Sequence, residues 1–173
     1  MKKKIEILAP AKNLTQGIAA INSGADAVYI GAPLYGARSN ATNSVEDIAE
    51  LVKYAHLYNA QVFVVINTIL YDNELEPCRQ LIWKLYDIGV DALIIQDMAI
   101  MEMELPPIVL HASTQTNNRD ADKIKFLADA GIKRVVLARE LNLHQIKEIS
   151  EASDVELEFF VTGALCVSFS GNC

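Results

Sequence analysis

Ile88-Gly89-Val90-Asp91-Ala92-Leu93-Ile94-Ile95 is the stretch that decides the fold. It closes a helical pattern, turns on a glycine, takes a short polar step and runs on without a break in apolar residues. Ser23-Gly24-Ala25-Asp26-Ala27-Val28-Tyr29-Ile30 and Ala130-Gly131-Ile132-Lys133-Arg134-Val135-Val136-Leu137 repeat the arrangement. A glycine just past a helix suits a left-handed C-terminal cap. An apolar run without alternation suits a parallel strand covered on both faces. The repeated unit is therefore helix, tight loop, buried strand.

Working outward, strands are predicted near residues 5–9, 27–31, 62–66, 92–95, 108–111, 134–138 and 156–161, with helices between them. Ser44 with Asp47 predicts a capping box ahead of the stripe Val45, Ile48, Val52 and Ala55. Asn73, Asn118 and Asn142 (with Gln145) are the expected caps of later helices. A short helix between Asp97 and Leu105 is ended by Pro106-Pro107. Seven such units with no hairpin signal argue for an α/β architecture. A doubly wound sheet would usually carry a glycine-rich phosphate loop after its first strand, where this chain has Ala9-Pro10-Ala11-Lys12-Asn13. A TIM-type (β/α) barrel has eight units in about 250 residues. The 173 residues predict such a barrel, incomplete, with about seven of the eight strands.

Composition narrows the function classes. Half the residues are apolar (51%), enough for a sizeable core and incompatible with disorder. No apolar run approaches the roughly 18 residues of a membrane helix, and the short stretch after Lys2-Lys3-Lys4 contains Glu6, so no secretory signal is read and a cytoplasmic protein without membrane insertion is expected. With 15 basic and 22 acidic residues the net charge is −7, a poor balance for gripping a phosphate backbone tightly. Three cysteines make no closed disulfide set.

In a barrel, chemistry belongs at the carboxyl ends of the strands. The residues reached there are Asn67 and Thr68, Gln96 and Asp97, His111 with Ser113, Thr114, Gln115 and Asn117, Arg139 with Glu140, then Thr162 and Gly163. His111, Thr114, Gln115, Arg139 and Glu140 are the catalytic candidates. Asn67, Gln96, Asp97 and Asn117 are candidates for holding substrate, as is Arg38 in the long loop after the second strand. A histidine there could serve as acid or base near neutral pH, or make a plain structural hydrogen bond. Ser113 lacks a G-x-S-x-G elbow. His56 and His144 lie in helical patterns and are expected in solvent. Glu6 and Glu158 fall in strands, where a carboxylate needs a partner. Arg139 or Lys133 could supply an internal salt bridge, and an acid/base pair is the sharper alternative.

Cys166 and Cys173 close the chain with six residues between them. Thiolates suit zinc or iron–sulfur centres, but each needs about four ligands. The run Glu156 or Glu158, Phe159 or Phe160, Gly163, Ala164, Leu165, Cys166, Gly171, Cys173 resembles the signature of the collagenase-like peptidase family U32. Glu6-Ile7-Leu8-Ala9-Pro10-Ala11, Gly24-Ala25-Asp26-Ala27-Val28-Tyr29, His111-Ala112-Ser113-Thr114-Gln115 and Arg134-Val135-Val136-Leu137-Ala138-Arg139-Glu140-Leu141 extend the resemblance over the whole chain. Thr162 departs from it, standing where many members have histidine.

The resemblance implies a parent that is either a collagen-degrading peptidase or an iron–sulfur-dependent, oxygen-independent hydroxylase of RNA or a quinone precursor, with prephenate as oxygen source. It implies a [4Fe–4S] cluster in the full-length parent, with Cys166 and Cys173 as two of four ligands and none held stably by this piece. Residues 1–173 are then expected to be a single N-terminal barrel domain, cut before the remaining cluster cysteines and C-terminal domains. A seven-stranded barrel leaves two open edges. They predict a homo-oligomer or a covering partner chain, and allow an inert piece that only self-associates. RNA, a quinone precursor or a peptide is the expected substrate of the parent.

Overall fold

The computed structural model describes residues 5–36, 43–163 and 166–172. Seven strands alternate with six helices: β1 (Leu8–Ala11), α1 (Leu14–Asn22), β2 (Ala27–Gly31), α2 (Val45–Leu57), β3 (Gln61–Ile66), α3 (Asp72–Asp87), β4 (Ala92–Ile95), α4 (Ala99–Glu102), β5 (Val109–Ala112), α5 (Ala121–Asp129), β6 (Arg134–Val136), α6 (Leu143–Ala152) and β7 (Glu156–Glu158). A 3-10 turn, Thr114–Thr116, follows β5. All seven strands pair in parallel and in chain order. The three repeated glycines cap α1, α3 and α5 with φ of +98° (Gly24), +88° (Gly89) and +113° (Gly131), a region closed to most side chains.

The sheet is curled. Glu6, just ahead of β1, accepts a hydrogen bond from Arg134 of β6 at 2.6 Å. In a flat sheet those strands would lie five steps of about 4.8 Å apart, roughly 24 Å, beyond the reach of the two side chains. The chain is thus a half-barrel, and a flat doubly wound sheet is excluded. Among the described residues β1 pairs only with β2, and β7 only with β6.

Two cores explain the unbroken apolar runs. Val28, Ile30, Val62, Val64, Ile66, Leu93, Ile95 and Val135 face outward onto Ile48, Leu51, Val52, Ile82, Leu85, Ile124, Leu127 and Ile149 of the helices. Ala27, Phe63, Ala92 and Ile94, with Leu8, Tyr29 and Val65, fill the inside of the curl. The inner face turns polar on the later strands, where His111 pairs in register with Arg134 and Arg134 with Glu156.

The structure corrects several expectations at element ends. β1 begins at Leu8, so Glu6 precedes the strand. Tyr71 stands at the start of α3, its amide held by the Glu74 carboxylate at 2.9 Å, and Asn73 falls inside the first turn. Asp120 caps α5 through the Lys123 amide at 2.8 Å. Asn118 is fully buried and does other work. The Ser44–Asp47 and Asn142–Gln145 capping boxes form as read.

Candidate functional site

Two polar assemblies sit on the later strands. The first lies at the carboxyl ends. Asn118 has no exposed surface. Its amide donates to the Ser113 carbonyl at 2.9 Å and the Val136 carbonyl at 2.8 Å, tying the loop after β5 to the end of β6. Its own oxygen accepts from Thr116 Oγ1 at 2.7 Å. Asn67, after β3, donates to Ser113 Oγ at 3.3 Å, and that hydroxyl also accepts from the Gln115 amide at 3.2 Å. The rims of β3, β5 and β6 are thereby joined.

The cysteine-bearing segment docks onto this rim. Ser170 is 1% exposed. Its hydroxyl meets Thr114 Oγ1 at 3.2 Å and the Arg139 amide at 3.3 Å. Its amide donates to Glu140 Oε1 at 2.6 Å. Arg119 lies 3.5 Å from the same Glu140 oxygen and covers the Phe169 ring at 4.5 Å. Burial pushes the Glu140 carboxyl up, but the Ser170 hydrogen bonds and the Arg119 charge more than offset it and leave it below the usual range. Gly171 (φ +91°) runs so close that a Cβ there would stand 2.8 Å from Asn117 Cβ.

Of the residues singled out by sequence, Asn67, Thr114, Gln115, Asn117, Arg139 and Glu140 come together here. Gln115 keeps its side-chain oxygen buried without a hydrogen-bond partner among the described residues. Gln96 is half-buried at the end of β4. Asp97 spends its oxygens on the backbone amides of Leu70 at 2.8 Å and Ala99 at 2.9 Å. Thr162 is exposed. Arg38 and Cys173 lie outside the described residues. His56 is 45% exposed and reaches Asp91 at 3.1 Å, and His144 is 80% exposed.

The second assembly is inside the curl, and it takes His111 away from the rim. His111 is 4% exposed, its ring edge-on to Phe63 at 4.8 Å and its Nδ1 without a hydrogen-bond partner among the described residues. Burial, then the Arg134 charge, lowers its pKa to about 3, so the ring is neutral at physiological pH. Arg134 is the hub. Its guanidinium lies 5.2 Å from the Phe63 centroid, bonds Glu6 and Glu156, and stands 4.0 Å from Glu158. The internal partner of Glu6 and Glu158 is thus Arg134. Lys133 is exposed, and Arg139 lies beyond the strand. The reason is the pleat: Arg134 opens β6 on the inward side, in register with Glu156, with Glu158 two residues on.

Burial raises the Glu158 carboxyl to about 7, the Arg134 charge lowering it and Glu6 raising it. Between the ordinary value near 4.5 and about 7 the folded chain holds a proton that the unfolded chain has released. Stability therefore falls as pH rises through that window and stays reduced above it. His111 acts in the other direction: below about 6.5 the unfolded chain binds a proton that the folded chain refuses until about pH 3. Glu158→Gln is expected to raise stability by about 2 kcal/mol at pH 8 and to leave it unchanged at pH 4, read by urea unfolding at both values. An equal effect at the two pH values would refute a protonated Glu158.

Among the described residues no metal centre is completed. Cys166 Sγ lies 3.8 Å from the Ser168 carbonyl. Cys78 is buried in α3, its thiol pushed up to about 11 by burial and by Glu74 and Asp97. The chain has three cysteines where a cubane cluster takes four thiolates. Among the described residues no three His, Cys, Asp or Glu side chains gather to hold a metal ion. The residues of this chain alone do not fit a [4Fe–4S] cluster.

The sequence reading missed Arg119, Arg134 and Ser170, and gave Asn118 the role of a helix cap. A signal existed for Arg134, a charge opening a buried run with glutamates at alternating positions of the next strand. None marked Ser170.

Residues 12–173 match the profile of peptidase family U32. The chain is 58% identical over 170 residues to the 23S rRNA 5-hydroxycytidine C2501 synthase of Escherichia coli, covering 98% of this chain and 26% of that protein. It is 39% identical to tRNA hydroxylation protein P1 of Bacillus subtilis, covering 99% of this chain and 42% of that one. The chain thus spans from about a quarter to two-fifths of the length of these relatives. In the solved structure of the U32 peptidase Mk0906 the same fold recurs with a TM-score of 0.75 at 13% identity, over 92% of this chain and 69% of that one.

Proposed function

The chain belongs to peptidase family U32, and on that premise we propose that it forms the catalytic-barrel portion of an RNA hydroxylase. The observation that carries this reading is 58% identity, over nearly the whole chain, to an rRNA hydroxycytidine synthase. Cys166 and Cys173 supply two thiolates of a [4Fe–4S] cluster whose other ligands come from outside this chain. Such a cluster, when bound, supplies redox chemistry set by its thiolates and surroundings. The chain's own part is to present the rim of β3, β5 and β6, where Asn67, Thr114, Gln115, Asn117 and Arg139 offer hydrogen bonds to a base or an oxygen donor. With a net charge of −7 this portion attracts phosphates poorly, so most backbone contacts to RNA come from elsewhere in the protein.

Among the described residues no helix is long and apolar enough to cross a membrane; the likeness to RNA-hydroxylating relatives supports a cytoplasmic protein. The outer edges of β1 and β7, unpaired among the described residues, with exposed Phe159, Phe160 and Val161 following β7, are covered by a partner chain or a second copy.

Anaerobic reconstitution of the full-length protein should give a broad absorbance near ~400 nm. Cys166→Ala should abolish that band together with the hydroxylated nucleoside in cellular RNA, read by mass spectrometry. A variant keeping both would overturn the reading. Peptidase activity is the second reading, favoured by the family's description. Against it, Ser113 is 2% exposed and its hydroxyl is held by Asn67 and the Gln115 amide. Gelatin cleavage lost in His111→Ala would restore it.

A further inference from the structure

We infer that Glu140 is a positioning residue, which fixes the thiol-bearing segment 166–172 over the ends of β5 and β6 by holding the Ser170 amide. The segment has no helix or strand of its own, so its place is set by what it touches. Those contacts converge on one residue. Ser170 is almost wholly buried, its amide donates to Glu140 Oε1 at 2.6 Å, and its carbonyl accepts from Arg119 at 3.5 Å. The short amide-to-carboxylate bond is charge-assisted, the stronger class of hydrogen bond. Arg119 adds a second bracket by pairing with Glu140 while covering Phe169. Thr114 and the Arg139 amide hold the hydroxyl, and Gly171 lets the backbone pass against Asn117. Glu140 thus acts through Ser170 on the chain that carries Cys166 four residues earlier. In sequence it read as a catalytic candidate, yet its Oε1 is committed to the segment.

Thiolates that share a metal centre with ligands from other elements must be held in advance, because a loosely held ligand costs ordering entropy on binding. This last step alone rests on the reading of Cys166 and Cys173 as ligands. The positioning itself does not.

The test measures amide exchange of the peptide spanning 166–172 and the rate of Cys166 alkylation in the full-length protein before reconstitution. Glu140→Ala should raise both roughly tenfold, as loss of a charge-assisted bond opens a local segment. Glu140→Gln keeps an acceptor without the charge and should give a smaller rise. Glu148→Ala, on an exposed pair, should change neither. If Glu140→Ala fails to fold, Arg119→Met should raise both rates in its place. Unchanged rates in the folded Glu140 or Arg119 variants would overturn the inference. In the full-length protein, iron bound after reconstitution should fall in Glu140→Ala and recover in part in Glu140→Gln. Iron lost with no change in exchange or alkylation would also overturn it. No iron in the parent, with the exchange difference intact, would sink the cluster reading and leave the positioning role standing.

Discussion

Arg134→Met is expected to destabilise the chain by about 3 kcal/mol, the range found when one member of a buried ion pair is removed. For a domain of this size that lowers the melting temperature by roughly 6–12 °C. The guanidinium is 12% exposed and serves Glu6 and Glu156 directly and Glu158 at 4.0 Å. Methionine fills the space over Phe63 but leaves the Glu6 and Glu156 carboxylates facing one another beside a protonated Glu158. Glu6 and Glu158 are the less exposed of the three, at 32% and 18%, against 61% for Glu156. The cost near neutral pH therefore falls chiefly on Glu6, since Glu158 holds its proton there. Because Glu158 already holds its proton near neutral pH, adding Glu158→Gln should recover little there. Since Glu6 and Arg134 join the two sides of the curl, amide exchange of β1 and β7 should accelerate more than that of β3. A loss below about 0.5 kcal/mol, the size of an ordinary surface substitution, would show that solvent already screens the cluster.

Asn118→Ala should cost about 2 kcal/mol, because the buried Val136 carbonyl loses the Asn118 donor while the Ser113 carbonyl keeps the Thr116 amide and hydroxyl. The side chain has no exposed surface, and its partners, the Ser113 and Val136 carbonyls, belong to different strand ends. Asn118→Asp should be at least as harmful, since it sets a carboxylate oxygen against a carbonyl. Urea unfolding measures both. The rim should also loosen: Ala138 donates its amide to the Asn118 carbonyl at 3.0 Å, so exchange at Ala138 should rise with the loss of stability. A variant within about 0.5 kcal/mol of the parent would mean that water replaces the amide at the Val136 carbonyl.

Much of the fold was legible because the signals are local. The glycine caps, the Ser44 box and the runs at Val62, Leu93 and Val135 each depend on neighbours within a few residues. The rim residues Asn67, Thr114, Gln115, Arg139 and Glu140 could be named because they follow apolar runs. Their roles could not. Asn118 read as a helix cap because asparagine before a helix usually is one, but Asp120 stood better placed and freed it to bridge two strands. His111 read as a rim histidine because the strand end was set by composition, while the pleat turned the ring inward beside Phe63.

By itself the order of residues determined the repeated helix–loop–strand unit, the parallel sheet with two apolar faces, and the family, since each rests on patterns a few residues long. The incomplete barrel, too, was read from the number and kind of these units; tertiary structure alone decided that Arg134 gathers carboxylates from both sides of the curl and that Ser170 seats the cysteine segment against Glu140. Those partners stand 128 residues apart for Arg134 and Glu6 and 30 apart for Ser170 and Glu140. No local preference encodes a meeting across such distances; it follows only once the strands have packed around a shared core and the buried charges must find one another.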